Sequence, residues 1–281
     1  MRLALIIRLT IGKAYYENTF RVFHHSLYRK FGFHMKFIIA PAKKMVVAQD
    51  DFPVQSQPQF RDQAAWLLRH MQQLTRAEAQ TLWHTSEKLT GAAYAQLQTS
   101  DVTAHQSPAI FSYVGIQYQY MAPDLLDDAG LAYIQQHLRI LSGLYGILRP
   151  FDGIVPYRLE MQTGLAAVPN HSLYDFWGDR LYQALTTIPG PIINLASDEY
   201  AKTIRPYLQP ADQFINVRFA HDVNGKLKTR ATYAKMARGE MVRFAATHGV
   251  TTVEELTHFD SPTYRFDAPL STTDELVFIA K

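Results

Sequence analysis

Glycine and arginine are concentrated in one stretch of the chain, Gln136–Met161, in a pattern that suits phosphate binding. Gly143 and Gly146 flank a Leu-Tyr pair, so the backbone there can turn tightly and a ligand can approach it closely. Arg139 and Arg158 carry the planar guanidinium that pairs with phosphate through two hydrogen bonds. A helix followed by an apolar-Gly-apolar turn resembles the helix-hairpin-helix module, whose hairpin amides hold a DNA phosphate, although that module usually has one residue between its glycines.

The same features also have a structural explanation. The two glycines could form a tight turn with no ligand, and the arginines could form internal ion pairs, for example Arg158 with Glu160 or Asp152. The sequence leaves both interpretations open.

A second candidate is the stretch Tyr233–Phe244, in which three cations surround a glycine. Helical spacing places Lys235, Arg238 and Arg243 opposite the apolar residues of this stretch. A glycine inside a helix costs about 1 kcal/mol relative to alanine. Gly239 therefore suggests a point where a bulky anion reaches the backbone, and the alternative is a solvated helix face.

A third candidate is Asn194–Lys202, which follows an apolar strand-like run and opens a helix, the place where ligands collect in α/β folds. Asp198 and Lys202 are four residues apart, a spacing at which two side chains on a helix can pair. The neighbouring carboxylates Asp198 and Glu199 would suit acid–base chemistry or a divalent cation, but helix capping also explains them. Lys43, just past the first predicted strand, would lie nearby if the two strands are neighbours.

The elements that must position these residues alternate irregularly between helix and strand. Period-3.6 patterns and capping boxes predict helices, and short apolar runs predict strands. The predicted helices include one carrying Phe60, Ala64, Leu67, Leu68 and Met71, one capped by Thr75 and Glu78, Asp127–His137, Thr232–Thr247, and one capped by Thr251 and Glu254. The predicted strands are Lys36–Ala40, Ala109–Gly115, Pro191–Leu195, Phe214–Phe219 and Leu276–Ala280.

Composition excludes several classes of protein. The chain of 281 residues has no cysteine, which rules out disulfides, a thiolate nucleophile and any Cys-ligated metal site. Its 11 histidines show no His-x-x-x-His or His-Glu-x-x-His spacing, so we expect no metal site and no cofactor. Two tyrosines in one motif, Tyr118 and Tyr120, could stack on bases or belong to the core.

The basic charge of the chain is concentrated in its first 34 residues. They contain six Lys or Arg and one Glu, a net of +5, so the overall +3 leaves residues 35–281 at −2. We interpret residues 1–34 as an extension outside the domain, which a misassigned start codon would explain, because a strand-like run begins right after Met35. Any nucleic-acid binding must then rest on a local patch.

Several of these segments, in this order, resemble the YaaA peroxide-stress family. The segments that carry the resemblance are Lys36–Met45, Ser86–Gly91, Gln136–Met161, Leu173–Asp179, Asn194–Lys202, Tyr233–Phe244 and Glu275–Phe278. They span essentially all of residues 35–281, and the family pattern also begins at the methionine that matches Met35.

The resemblance implies a cytoplasmic bacterial protein of the hydrogen-peroxide response that limits free iron and oxidative DNA damage. It also implies one compact α+β (mixed α/β) domain, with a mixed β-sheet surrounded by helices, a helix-hairpin-helix-like element and a positively charged cleft that binds DNA, including irregular or branched forms. No reaction is securely attached to the family. We expect DNA as the partner, no membrane association and a monomer.

The sequence thus supports a main hypothesis and two alternatives. In the main hypothesis, the protein binds nucleic acid. The phosphates of that nucleic acid would contact the cations Lys43, Arg139, Arg158, Lys202, Lys235, Arg238 and Arg243. Three glycines would permit close approach to the backbone, namely Gly143, Gly146 and Gly239. The first alternative is an enzyme acting on a nucleotide or damaged base through Asp198, Glu199 or Glu160. The second is direct iron binding through histidines and carboxylates.

Overall fold

A mixed β-sheet of eight strands runs through the residues that the computed structural model describes, which are 35–47, 52–104 and 106–281. Its strand order is β11-β12-β9-β8-β1-β5-β6, with β10 paired to β9, and two further sheets, β2-β4 and β3-β7, have two strands each. The strands are β1 Lys36–Ile39, β2 Lys44–Met45, β3 Ser107–Pro108, β4 Tyr113–Val114, β5 Leu138–Ser142, β6 Gly146–Leu148, β7 Gly153–Ile154, β8 Ile192–Asn194, β9 Phe214–Val223, β10 Lys226–Lys228, β11 Tyr264–Phe266 and β12 Glu275–Ala280.

Eleven α-helices accompany these strands in the described part of the chain. They are α1 Arg61–Gln72, α2 Arg76–Trp83, α3 Glu87–Thr99, α4 Ala109–Ser112, α5 Ile116–Met121, α6 Asp128–His137, α7 Leu173–Trp177, α8 Arg180–Thr186, α9 Asp198–Ala201, α10 Ala231–His248 and α11 Val253–Leu256. The expected mixed α/β fold, with a mixed sheet and surrounding helices, is confirmed. None of the helices that the structure describes is long and apolar enough to cross a membrane.

Five strands of the large sheet run parallel, and their order identifies the edge where a ligand would bind. In chain order they are β1, β5, β8, β9 and β12, and in space they lie in the order β5-β1-β8-β9-β12. Strand β5, the second of these along the chain, therefore lies on one side of β1, and β8, the third, lies on the other side. The chain reverses its direction of travel across the sheet between β1 and β8, and such a switch point opens a crevice at the carboxyl ends of the two strands.

Most local predictions agree with the structure. Helix α1 buries Ala64, Leu67, Leu68 and Met71, as its spacing predicts. The capping box before α2 is present: the Glu78 amide donates to Thr75 Oγ1, and the Thr75 amide donates to the Glu78 carboxylate at 2.7 Å. Strands β1, β8, β9 and β12 fall within or close to their predicted ranges.

Two local predictions are wrong. The stretch Ala109–Gly115 is not a strand, because Ala109–Ser112 forms helix α4 and only Tyr113–Val114 is extended. The Ser112 hydroxyl donates to the Pro108 carbonyl at 2.9 Å, which supports that single helical turn. The last capping box uses Thr252 and Glu255 instead of the residues one position earlier, because Thr252 Oγ1 accepts from the Glu255 amide.

The glycine turn at 143–146 joins two antiparallel strands, β5 and β6, so no helix-hairpin-helix element is present there. Both glycines are buried and needed for packing. A Cβ on Gly143 would lie 2.3 Å from the Leu159 carbonyl oxygen. Gly146 has a positive φ of 72°, and a Cβ there would lie 2.9 Å from the Trp177 ring. The predicted phosphate approach at these glycines is wrong, because protein atoms fill the space.

Residues 35–281 form one compact unit, whose core is dominated by fully buried aromatic and aliphatic side chains. The predicted extension, residues 1–34, lies outside the described residues, and its interpretation stays a prediction.

Candidate ligand-binding cleft

A cleft of about 520 Å³ opens at the switch point between β1 and β8. Its walls come from the loop after β1 at residues 40–44, the start of α5, the segment 157–160, the start of α9 and one face of α10. We call it the β1/β8 cleft. Its volume falls within the range of about 300–1,000 Å³ that is typical of small-molecule sites.

Cationic side chains outnumber acidic ones in the β1/β8 cleft. Five cations line it, Lys43, Lys44, Arg158, Lys235 and Arg238, against two carboxylates, Glu160 and Glu199. The lysine of the first loop thus lies near the start of α9, as the pairing of β1 with β8 requires and as the sequence predicted. The cleft concentrates positive charge in a domain whose formal net charge is −2.

Arg238 is a partly buried cation whose charge is only partly compensated. Burial lowers the pKa of its guanidinium, and the negative charge of Asp198 partly opposes that shift. Arg238 forms no ion pair with any described residue, and its buried Nε has no hydrogen-bond partner there either. A buried donor without a partner costs about 1–3 kcal/mol. An anionic ligand at this point would restore the missing interaction.

Glu160 lies between two cations without a full hydrogen bond to either. Its Oε1 is 3.5 Å from Lys43 Nζ and 3.7 Å from Arg158 Nη2, and it has no hydrogen-bond partner among the described residues. The Glu160 side chain is 15% exposed, whereas that of Lys43 is 65% exposed. The exposed lysine therefore contributes little stability through this pair and stays available to a ligand.

Gln117 adds an uncharged donor to the same wall. The residue is 6% exposed and lies on α5. Its Nε2 is buried and has no hydrogen-bond partner in the described part of the chain. Sequence reasoning missed this residue, because an amide in a short tyrosine-rich helix has no distinctive spacing.

Three tyrosines contribute aromatic surface to the wall. Tyr118, Tyr157 and Tyr200 line the cleft, and the Tyr118 hydroxyl donates to the Ala40 carbonyl at 3.1 Å. The Tyr157 hydroxyl lies 2.6 Å from Ser142 Oγ. Burial raises the pKa of Tyr157 to about 12, so its hydroxyl is neutral at physiological pH. These rings offer uncharged aromatic surface next to the cations.

Three of the cations predicted from the sequence lie outside the β1/β8 cleft. Arg139 is on β5, where its Nη1 donates to the carbonyls of Leu138 at 2.7 Å and Gln135 at 3.3 Å. Burial, with Arg149 nearby, lowers the pKa of Arg139 to about 10. Lys202 and Arg243 are exposed elsewhere on the surface. The structure does not bring these three together with the other candidates.

Gly239 does not open the backbone to an anion, so that interpretation is wrong. A Cβ at this position would lie 2.1 Å from the Gln117 carbonyl oxygen and 2.8 Å from the Met121 amide nitrogen. The glycine is buried where α10 packs against α5. Its function is to let the two helices approach, which places Gln117 beside Arg238.

The carboxylates of the enzyme hypothesis separate into two groups. Glu160 and Glu199 line the cleft, and Glu199 Oε1 accepts from the Gln162 amide at 3.2 Å. Asp198 is 82% exposed and pairs with Arg205 at 2.8 Å. The pairing of Asp198 with Lys202 that their spacing allows is not formed, because Arg205 reaches Asp198 instead.

A metal site receives no support from side-chain grouping. Across residues 35–47, 52–104 and 106–281, no three His, Asp or Glu side chains are grouped so that they could hold a metal ion. The direct iron-binding alternative therefore has no such group of three ligands in this part of the chain.

The fold and cleft define a class: a mixed α/β protein with a ligand-sized crevice, lined by five cations and two carboxylates among uncharged residues, at the carboxyl edge of its parallel strands. The chain belongs to the peroxide stress protein YaaA family, whose model matches residues 35–270. It is 77% identical over 247 residues to a UPF0246 protein of Lacticaseibacillus casei (strain BL23), which covers 88% of this chain and all of that relative. UPF0246 proteins of Lactiplantibacillus plantarum and Pediococcus pentosaceus are 59% and 51% identical, each over 87% of this chain and 99% and 98% of the relative.

Proposed function

We propose that this peroxide-stress protein is cytoplasmic and binds DNA through the β1/β8 cleft as a monomer, thereby limiting oxidative DNA damage. The observation that carries the proposal is the excess of cations in the cleft, five against two carboxylates. Phosphate contacts supply most of the affinity of proteins for nucleic acid, because each contact releases counterions. A domain with a net charge of −2 needs such a local patch to bind DNA at all.

The cations of the cleft lie at two depths, with exposed lysines at the opening and less exposed arginines further in. Lys43 is 65% exposed and Lys235 is also exposed, so both can contact phosphates of a strand that lies over the opening. Arg158 is 20% exposed, and Arg238 is partly buried. The arginines would contact a group that enters the cleft.

The protection from iron is proposed as a cellular consequence of this binding. Free iron damages DNA when peroxide reacts with it close to the strand, so a protein that covers the strand would reduce that damage. The lack of grouped metal ligands among the described residues favours contact with DNA over chelation as the protective step.

The experiment is a binding panel with the full chain and single-stranded, duplex and junction DNA. Lys43→Ala with Lys235→Ala should weaken binding to every form that the protein recognises. The control is Lys202→Ala with Arg243→Ala, which removes the same charge from exposed positions outside the cleft. Equal losses in the two double variants would contradict a cleft-centred site.

A second function is supported by the two carboxylates of the cleft, namely an enzyme acting on a nucleotide or damaged base. Glu160 and Glu199 lie in the same crevice as the cations, an arrangement that could hold a phosphate and exchange a proton at a base. Asp198 is removed from this hypothesis by its exposure and its pairing with Arg205. Mass spectrometry of nucleotides and oxidised oligonucleotides after incubation with the protein would reveal turnover, and Glu160→Gln should abolish it.

A further inference from the structure

The inner wall of the β1/β8 cleft carries a set of hydrogen-bonding atoms that no described residue satisfies. Five buried side-chain nitrogen or oxygen atoms lack a partner in the described part of the chain, and four of them belong to residues of this one cleft. They are Gln117 Nε2, Arg158 Nε, Glu160 Oε1 and Arg238 Nε. Native proteins satisfy most of their buried polar groups, so four exceptions around one space mark it as a place where water or a ligand completes the contacts.

The chemistry of the four atoms defines the ligand. Three are donors, and two of these belong to guanidinium groups, which favour an anion with several acceptor oxygens such as a phosphate. The fourth, Glu160 Oε1, is a carboxylate oxygen that accepts a hydrogen bond from an N–H or O–H group. Tyr118, Tyr157 and Tyr200 place aromatic surface beside them, against which a nucleobase can pack.

The size of the cleft decides whether its ligand is a DNA duplex or a single nucleotide. Its volume is about 520 Å³, and the four atoms are buried in its wall. A DNA duplex cannot enter a crevice of that size, whereas one unpaired nucleotide can, as happens when proteins take a base out of its stack. Contacts with the buried atoms are therefore open to a single nucleotide and closed to a paired duplex.

We propose that the β1/β8 cleft binds one nucleotide, with its phosphate on Arg158, Arg238 and Gln117 and an N–H or O–H group of its base or sugar on Glu160. The proposal rests on the proposed function, because it specifies which part of a nucleic acid enters the cleft. A free mononucleotide and an unpaired nucleotide within a strand have the same chemistry, and the experiment separates these two sources.

Two substitutions isolate the buried donors from the general charge of the cleft. Arg238→Lys keeps the positive charge but removes the Nε donor and the planar guanidinium. Gln117→Met keeps a side chain of similar length without an amide. Because Gln117 Nε2 has no partner to lose in the protein, Gln117→Met should not lower the melting temperature, so it keeps the test readable if Arg238→Lys unfolds.

The probes are the four deoxynucleoside 5′-monophosphates, a fully paired duplex, and the same duplex with one unpaired nucleotide, each titrated into the full chain by calorimetry. We expect each substitution to weaken nucleotide binding by about tenfold or more, with little change for the paired duplex. Loss confined to the monophosphates identifies a free nucleotide as the ligand. Loss confined to the duplex with the unpaired nucleotide identifies a strand-borne one, and either result supports the proposal.

The outcomes against the proposal differ from those against DNA binding. If the paired duplex binds as well as every other probe, and Gln117→Met and Arg238→Lys change none of the affinities, the single-nucleotide site is wrong while DNA binding stands. If no probe binds, both proposals fail. If the monophosphates bind with the expected losses and neither duplex binds, the nucleotide site stands and the DNA-binding function falls.

Discussion

Lys235 and Arg243 lie on the same helix, about two turns apart, yet only Lys235 lines the β1/β8 cleft. Both side chains are exposed cations, so the two positions differ chiefly in where they point. This pair therefore separates a cleft-centred site from a general attraction of the helix for DNA.

The first prediction uses that pair. Lys235→Ala should weaken binding of every duplex sequence and lower the slope of log affinity against log salt by about 0.9, because one phosphate contact is lost. Arg243→Ala should leave both quantities unchanged. Fluorescence anisotropy over a series of salt concentrations measures the slope, and an equal change in the two variants would refute the cleft as the contact site.

The second prediction concerns the contact between α10 and α5. Gly239→Ala should lower the free energy of unfolding by about 1–3 kcal/mol, since a Cβ would overlap backbone atoms that cannot move like a side chain. The predicted overlap is with the Gln117 carbonyl oxygen at 2.1 Å. The better helix propensity of alanine, about 1 kcal/mol, acts against this loss and is outweighed. Urea denaturation measures the change in the free energy of unfolding, with Arg243→Ala on the same helix as the control. A Gly239→Ala protein more stable than wild type would contradict the close packing of α10 against α5.

The third prediction links the glycine turn to the cleft. Gly143→Ala should destabilise the protein and also weaken ligand binding, because its Cβ would press on the Leu159 carbonyl oxygen at 2.3 Å. Leu159 lies between Arg158 and Glu160, so a shift there moves both cleft residues. Gly164→Ala is the control for a loop glycine with room for a Cβ, because its nearest neighbour, the His171 carbonyl oxygen, would lie at an ordinary contact distance of 3.5 Å. Unchanged binding in a folded, destabilised Gly143→Ala protein would show that the segment absorbs the strain.

The fourth prediction concerns pH. Burial lowers the pKa of Lys36 from 10.5 to about 8, and nearby Arg139 adds to that shift. Between these two pH values the unfolded chain binds more protons than the folded protein, so the free energy of unfolding should rise with pH across this window.

Lys36→Met removes the titrating group and so should remove that part of the rise. Urea midpoints are measured at about pH 7.5 and about pH 9.5, because more than half of the expected rise in the free energy of unfolding falls between these two values. The difference between wild type and Lys36→Met isolates Lys36 from other groups that titrate in the same range. Parallel pH profiles for the two proteins would show that the buried ammonium is charged throughout.

The sequence predicted those parts of the fold that depend on local patterns. The apolar runs of β1 and β8, the spacing of α1 and the capping box at Thr75 follow from periodicity and capping chemistry within a few residues. The stretch Ala109–Gly115 differs from its predicted strand because a short apolar run is compatible with both helix and strand, and tertiary contacts then decide between them.

The residues that line the cleft could be predicted only in part, because they depend on side-chain direction and on packing between segments far apart in the sequence. Lys43 and the start of α9 were correctly expected together, since they follow two parallel strands. Arg139, Lys202 and Arg243 have the right chemistry but point elsewhere. The glycines were singled out for the right backbone property, but the atom that approaches Gly143 or Gly239 is a protein carbonyl oxygen.

The cleft also depends on the order in which the chain is made. Its walls begin at Ala40 and end at Arg238, so contributions to one small space are spread across most of the domain. During synthesis, the early loop leaves the ribosome long before α10 does, and the cavity is completed only when α10 packs onto α5. A nascent or proteolysed chain that lacks α10 would therefore lack the wall of the cleft that carries Lys235 and Arg238. Ligand binding then reports whether the domain has finished folding.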